Sequence, residues 1–380
     1  MKNDQDVFVP ENVRVTGNYP TLVRVKTGLS SLDYAMSHKG NIGLPLRVLI
    51  ELYGYTNTGK STLSYFLAGK VAQTVKDSSI HIADIEMADT QGYIPMAVSV
   101  SGFKGEVHMM DVVDEKTEKP LFHENILTSL ARDLLFREDV PAVIWDSIGA
   151  TQAMSTMTAL TNPKEVLGEA KMGKKAFLVS AVADALRTGL ISKQTPSTAI
   201  GINHVYPSFG GRGHSTPGGE RKSFLAGVRL MLWTDEVFRE DDDDKASTIL
   251  GFLVKGQVEK LRFGGRGRTF GFYIVPGYGV HEGVSAMFDA FEITYRMRKN
   301  PIPYLKAERK TVVKLNGKGL GFLKKDLLKY ALEGKRRKFY PFQEVMARVT
   351  DDVEKGLVSL EEGDEDGIQP SPVGDETAED

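Results

Sequence analysis

The chain contains no cysteine among its 380 residues. Disulfide frameworks, thiol nucleophiles and zinc sites built on thiolates are thereby excluded. Long apolar runs are missing too: none approaches the ~20 residues that a helix needs to cross a bilayer. An excess of charge of one sign is also lacking, because 48 Lys+Arg stand against 50 Asp+Glu for a formal net charge of -2. What is present is ordinary for a soluble globular protein, with 41% hydrophobic and 26% charged residues, so disorder over the whole length is not expected. The length suggests roughly two domains. Residues 1–11 are polar and acidic, unlike a signal or transit peptide, and a cytoplasmic location is the default expectation.

The near-neutral sum hides an uneven distribution. Residues 296–348 hold sixteen basic side chains against four acids, a net of +12. Residues 351–380 hold twelve acids and one base, Lys355, a net of -11. The tail is rich in Gly, Pro, Asp and Glu, a composition expected to be disordered. Two readings stand side by side. The pair is a solvated face with a solubilising tail, or a nucleic-acid surface screened in cis by its own polyanion. A further acidic run, 240–244, is expected at an exposed loop tip.

From Thr27 onward short apolar strands alternate with amphipathic helices, which predicts an α/β domain with a largely parallel sheet. Strands are expected over 48–53, 80–84, 142–145, 199–202, 228–233, 252–260 and 268–274, and helices over 61–75, 121–136 and 175–190. In the last of these Leu178, Ala181, Val182, Ala185 and Leu186 recur at the spacing of one buried helical face. Beyond residue 290 the composition shifts to Lys, Arg and Tyr, and two helices are expected, at 323–332 and from Pro341. The expected organisation is an N-terminal arm (1–26), an α/β core (27–290), a small basic α-rich module (291–350) and the acidic tail.

Gly54-Tyr55-Thr56-Asn57-Thr58-Gly59-Lys60-Ser61 is a full G-x-x-x-x-G-K-S phosphate-binding loop between a strand and a helix. Its glycines let backbone N–H groups curl around phosphates, and the helix N-terminus adds a positive end. Lys60 suits the β/γ-phosphates and the Ser61 hydroxyl suits Mg²⁺, with Thr62 beside them. Such a loop needs an acid on a neighbouring strand, and the run Ala142-Val143-Ile144-Trp145-Asp146 supplies Asp146 as a Walker-B residue; Trp145 reads as core. Asp84 and Glu86 close another strand, where a pleat period of two sets them on one side. Glu86 is the candidate to orient an attacking water.

These residues, in this order, resemble the RecA family of ATP-dependent recombinases over about residues 20–290. The segment Thr27 to Asp33 with Gly43-Leu44-Pro45 is similar to the stretch before the family's phosphate loop. Ile202-Asn203-His204 and the later Thr216-Pro217-Gly218-Gly219 continue the pattern. His204, where bacterial members usually carry Gln, and Val258-Glu259-Lys260-Leu261-Arg262 look closer to the phage UvsX-type recombinases. The resemblance implies a RecA-like P-loop NTPase core that uses ATP and Mg²⁺. Tyr93 would stack on the adenine and His204 would sense the γ-phosphate. Lys260 and Arg262 would reach ATP in a neighbouring subunit.

Two DNA-binding loops are also implied. One lies between Gln152 and Glu169, with Met154 and Met157 as wedges. The other, Val205 to Ser223, carries Tyr206, Phe209, Arg212, Arg221 and Lys222 among glycines, a composition suited to tracking a single-strand backbone. The implied function is a DNA-dependent ATPase that forms filaments on single-stranded DNA and exchanges strands with duplex, in the cytoplasm (of the host, if phage-encoded). Its partners would be DNA, further copies of itself, and single-strand-binding and mediator proteins, with no membrane. The alternatives are a hexameric helicase motor and a non-exchanging recombination regulator. The N-terminal arm departs from the family, lacking a long amphipathic helix, and Val7-Phe8-Val9 is left as a candidate docking strand.

Overall fold

The computed structural model describes residues 23–37, 41–87, 92–154, 172–207, 214–240, 244–262 and 267–285, and beyond residue 290 five short strands by their backbone pairing alone. Strand β1 (Arg24–Val25) pairs with β2 (Leu44–Pro45) around helix α1 (Ser30–Ala35). The turn into α1 is held by Asp33, whose carboxylate accepts from the N–H of Thr27 and Gly28 and from the Thr27 hydroxyl. An alternating series follows: β3 (Val48–Gly54), α2 (Lys60–Ala72), β4 (Ser79–Asp84), α3 (Tyr93–Ser99), β5 (Glu106–Met109), α4 (His123–Phe136), β6 (Ala142–Asp146), α5 (Met172–Ser192) and β7 (Thr198–His204). A small hairpin, β8 (Tyr206–Pro207) with β9 (His214–Ser215), leads to α6 (Glu220–Leu225). The remaining core strands are β10 (Val228–Arg239), β11 (Ile249–Leu261), β12 (Thr269–Val275) and β13 (Gly279–Val280).

These strands form a nine-stranded sheet in the order β13-β12-β11-β10-β3-β7-β6-β4-β5. From β10 to β5 every neighbouring pair is parallel, whereas β10 to β13 is an antiparallel meander. Parallel strands joined by helices bury both faces, which explains apolar runs in place of a polar alternation. The pleat sorts those runs. Ile50, Ile82, Ile144 and Ile202 point into one core with Phe66 and Leu67 of α2, and Leu49, Ala83, Val143 and Trp145 into another with α4 and α5. Trp145 is 1% exposed, and its indole N–H finds an acceptor 2.9 Å away in Thr151 Oγ1.

Each strand and helix expected in the core is present. The largest difference is β10, which continues past Trp233 to Arg239 because it pairs along nearly its whole length with β11. Elements without a long apolar period were not foreseen: α1, α3, β5 and α6 are short or lie on the margins of the sheet. At the far end of the β10–β11 hairpin Glu240 and Asp244 are exposed, as the acidic run predicts, and residues 241–243 lie outside the described residues.

Beyond the core, β14 (Thr294–Tyr295) pairs with β18 (Val358–Ser359), and β15 (Leu305–Glu308), β16 (Val312–Leu315) and β17 (Lys318–Gly319) form a three-stranded antiparallel sheet. Within the stretch 351–380, expected to be a disordered acidic tail, Val358–Ser359 are the described residues and they form β18. The helices expected at 323–332 and after Pro341, and the arm with Val7-Phe8-Val9, lie outside the described residues. No helix among the described residues is long and apolar enough to cross a membrane.

Candidate nucleotide-binding site

At the C-terminal edge of the parallel strands a cleft of about 270 Å³ is lined by loop residues 56–62 with Glu86, Asp146, Ile202 and His204. Four elements meet there, since β3 feeds the loop and β4, β6 and β7 deliver the three polar side chains. The loop geometry explains its glycines. Gly59 enters α2 with φ of 74°, and a Cβ there would lie 2.3 Å from Ile274 Cδ1. A Cβ on Gly54 would lie 2.2 Å from the Leu232 carbonyl of β10, so neither position admits a side chain without moving its neighbour.

Lys60 is 5% exposed; its ammonium donates to the Tyr55 carbonyl and approaches Thr58 Oγ1 at 3.4 Å. Burial pulls its pKa down to about 8 against the attraction of Asp146 and Glu86. Asp146 is 3% exposed and hydrogen-bonds Ser61 and, at 3.2 Å, the Tyr65 hydroxyl. Burial drives its carboxyl up to about 6, opposed by Ser61 and reinforced by the nearby charges of Glu86 and Asp84. The site thus gathers acids beside one hydroxyl and one ammonium. No cluster of three or more His, Asp or Glu side chains among the described residues is placed to hold a metal. That donor set suits a hard cation taking one carboxylate, one hydroxyl and otherwise phosphate and water oxygens.

Glu86 reaches the cleft by a route other than the one expected. Strand β4 ends at Asp84, so Asp84 and Glu86 do not share a pleat. Asp84 is buried, whereas Glu86 follows a turn that carries its carboxylate over the cleft. There Glu86 Oε1 accepts from Ser147 Oγ and from His204 Nε2, the latter at 3.1 Å. Burial works to raise its pKa, but the hydrogen bonds from Ser147 and His204 prevail and hold it below the usual carboxylate range. Tyr93, half-buried at the start of α3, places its hydroxyl 2.9 Å from Thr62 Oγ1 at the cleft's margin.

Lys260 and Arg262 do not line this cleft. Lys260 pairs across β10 with Arg229, which in turn pairs with Glu51, three residues before Gly54, or about 10 Å back along the strands. Its ammonium caps the carbonyls of Ser223 and Phe224 at 2.8 Å, and Arg262 is exposed.

The two expected DNA loops are only partly described. In the first, Met154 is 36% exposed and its N–H is held by Glu124 at 3.0 Å; Met157 lies outside the described residues. In the second, the β8–β9 ladder joins the two arms and Tyr206 is 52% exposed, while Phe209 and Arg212 lie outside the described residues. Arg221 is exposed on α6, 2.6 Å from Asp184. Lys222 requires a correction. It is 2% exposed and bonded to Glu51, Thr216 and Ser223, because α6, unforeseen in a Gly-rich stretch, turns it inward. Its surface neighbour Arg221 keeps the open position.

Sequence reasoning also missed Glu51, 2% exposed in the centre of β3, and Ser147. A charge inside the apolar run Val48-Leu49-Ile50-Glu51-Leu52 was a usable signal, since such a carboxylate must find buried partners.

No family model matches the chain. Curated proteins do. The Protein RecA of Chloroherpeton thalassium is 28% identical over 260 residues, covering 67% of this chain and 64% of that protein. The chain is similar to proteins named RecA. RecA of Tropheryma whipplei is 27% identical over 243 residues (62% of this chain, 48% of that protein), and RecA of Aquifex aeolicus 26% over 273 (71% and 69%). The chain thus spans about half to two thirds of the RecA proteins it matches. The mostly parallel sheet with its phosphate loop is the fold that this likeness predicts.

Proposed function

We propose that the chain is a DNA-dependent ATPase of recombination and repair that assembles on single-stranded DNA and pairs it with homologous duplex. The observation that carries this reading is the meeting of Lys60, Glu86, Asp146 and His204 in one cleft, with His204 at the end of the strand that opens directly into the 205–223 loop. Lys60 and the loop N–H groups bind the β/γ-phosphates of ATP, and Tyr93 flanks the base. Ser61 and Asp146 would hold Mg²⁺, whose charge offsets that of the phosphates. Glu86 orients and deprotonates the attacking water. His204 leaves Glu86 for the γ-phosphate and returns after hydrolysis, so the nucleotide state is written into the loop that begins one residue later. Lys260 and Arg262, remote from their own cleft, serve the cleft of the next copy in a filament. Tyr206, Phe209, Arg212 and Arg221, with Met154 and Met157, contact the DNA. His204 and the Val258–Arg262 segment favour the UvsX-type branch.

A D-loop assay with homologous and heterologous duplex tests the reading. Product that needs ATP and homology supports it. Unwinding without homology indicates a helicase, and hydrolysis with neither indicates a regulator. The Lys60→Ala variant is expected to lose hydrolysis; retained turnover would place the nucleotide elsewhere.

A further inference from the structure

Behind the cleft Glu51 joins three segments that lie far apart in sequence. Its Oε1 accepts from Asn203 Nδ2 and from Lys222 Nζ, both at 2.8 Å, and its Oε2 from Arg229 Nε at 2.7 Å. Each donor continues outward. Asn203 Nδ2 also donates to the Pro217 carbonyl at 3.1 Å, and its Oδ1 accepts the N–H of His204 at 3.0 Å. Lys222 Nζ also donates to Thr216 Oγ1 at 2.7 Å. Arg229 Nη1 reaches Glu259, the neighbour of Lys260, at 3.3 Å.

One buried carboxylate therefore ties the end of β7, which bears His204, to the returning arm of the 205–223 loop and to β11. A well-packed apolar cluster could replace a buried ion pair at no loss of stability, so cohesion alone does not call for charges here. What the charges add is direction: each hydrogen bond fixes one segment relative to another. Burial acts to raise the Glu51 pKa, but Lys222 and Arg229 prevail and hold it below the usual range, so the carboxylate stays ionised.

We infer that Glu51 and Lys222 are positioning residues that carry the nucleotide state from His204 to the 214–225 arm of the DNA-binding loop. The inference rests on the proposed ATP cleft and DNA loop. Movement of His204 towards or away from a γ-phosphate displaces Asn203. Asn203 shares Glu51 with Lys222, and Asn203 and Lys222 between them grip Pro217 and Thr216. Lys222 thus acts on DNA without touching it.

The test uses the full chain and a fluorescent oligo-dT strand, with affinity measured over a series of salt concentrations, with ADP and with a non-hydrolysable ATP analogue. Coupled sites commonly differ by about 5- to 150-fold in affinity between two effector states. In Lys222→Met the ratio of analogue to ADP affinities is expected to collapse to within about twofold of unity. The slope of log affinity against log salt stays at the wild-type value. Arg221→Ala should do the reverse, keeping the ratio and lowering the slope by about one. The double variant Glu51→Gln/Lys222→Met, which removes both opposite charges, loses no more coupling than Lys222→Met and serves if the single variant does not fold.

A lowered slope with the ratio intact in Lys222→Met shows a direct phosphate contact and overturns the inference. An unchanged ratio and slope reduce Glu51–Lys222 to cohesion and overturn it as well. If the wild type itself shows no difference between ADP and the analogue, the underlying reading of cleft and loop falls, and this inference with it.

Discussion

Burial pulls the Lys60 pKa down to about 8 and pushes the Asp146 pKa up to about 6. Below about 6 Asp146 takes up a proton and loses the charge a cation requires; above about 8 Lys60 sheds the proton that phosphates require. Affinity for Mg²⁺-nucleotide is therefore expected to peak between these values, with proton uptake on binding along the alkaline limb. Fluorescent-nucleotide titrations from about pH 5 to about pH 9 check this, and a profile flat across that span would count against both assignments. Glu86 gives a second test. Glu86→Gln should leave nucleotide affinity near wild type and lower turnover by about 10²- to 10⁴-fold. Replacing His204 by Ala removes a donor to the ionised Glu86, so the acid limb of kcat/KM, which is set before ATP draws His204 away, should move to higher pH.

Among elements, the segment after β6 is the one whose local bonds bear most on the site. Thr151 accepts from the buried Trp145 indole and donates to the Ser147 carbonyl, and Lys175 Nζ donates to the Gly149 carbonyl. Thr151→Val strands the indole N–H in the core and should cost about 1–3 kcal/mol, read as a lowered urea midpoint at constant m-value. The sequence made the parallel strands legible because burial on both faces leaves unbroken apolar runs such as 48–53, and the phosphate loop because its glycines have steric reasons that a pattern preserves. It left α6 hidden, since Gly218 and Gly219 beside it read as loop, and the inward turn of Lys222 depends on Glu51, 171 residues away. The course of Glu86 was hidden for a similar reason. Strand ends are set by pairing, and β4 stops where its register with β6 does, at Asp84↔Asp146.

For the whole molecule the near-zero net charge is a balance between a basic module and an acidic tail, and the β14–β18 pair bears on how they meet. Val358–Ser359 is paired with Thr294–Tyr295, the residues just ahead of the basic stretch, and nine of the tail's twelve acids lie beyond Ser359. A truncation after Ser359 keeps that pairing and removes those acids. It is expected to raise apparent DNA affinity and to lower its response to Mg²⁺ and salt, measured by strand binding across a salt series; unchanged affinity would leave the tail a solubility device. The anchoring also sets a length scale. The 21 residues after Ser359 reach at most about 75 Å even if drawn straight. If the tail screens a DNA-binding surface, as its charge proposes, its carboxylates would compete with DNA from a leash, at an effective concentration that dilution does not change. A tenfold dilution of protein should leave the inhibition intact, whereas the same tail added as a free peptide would have to be supplied at about millimolar concentration to match it.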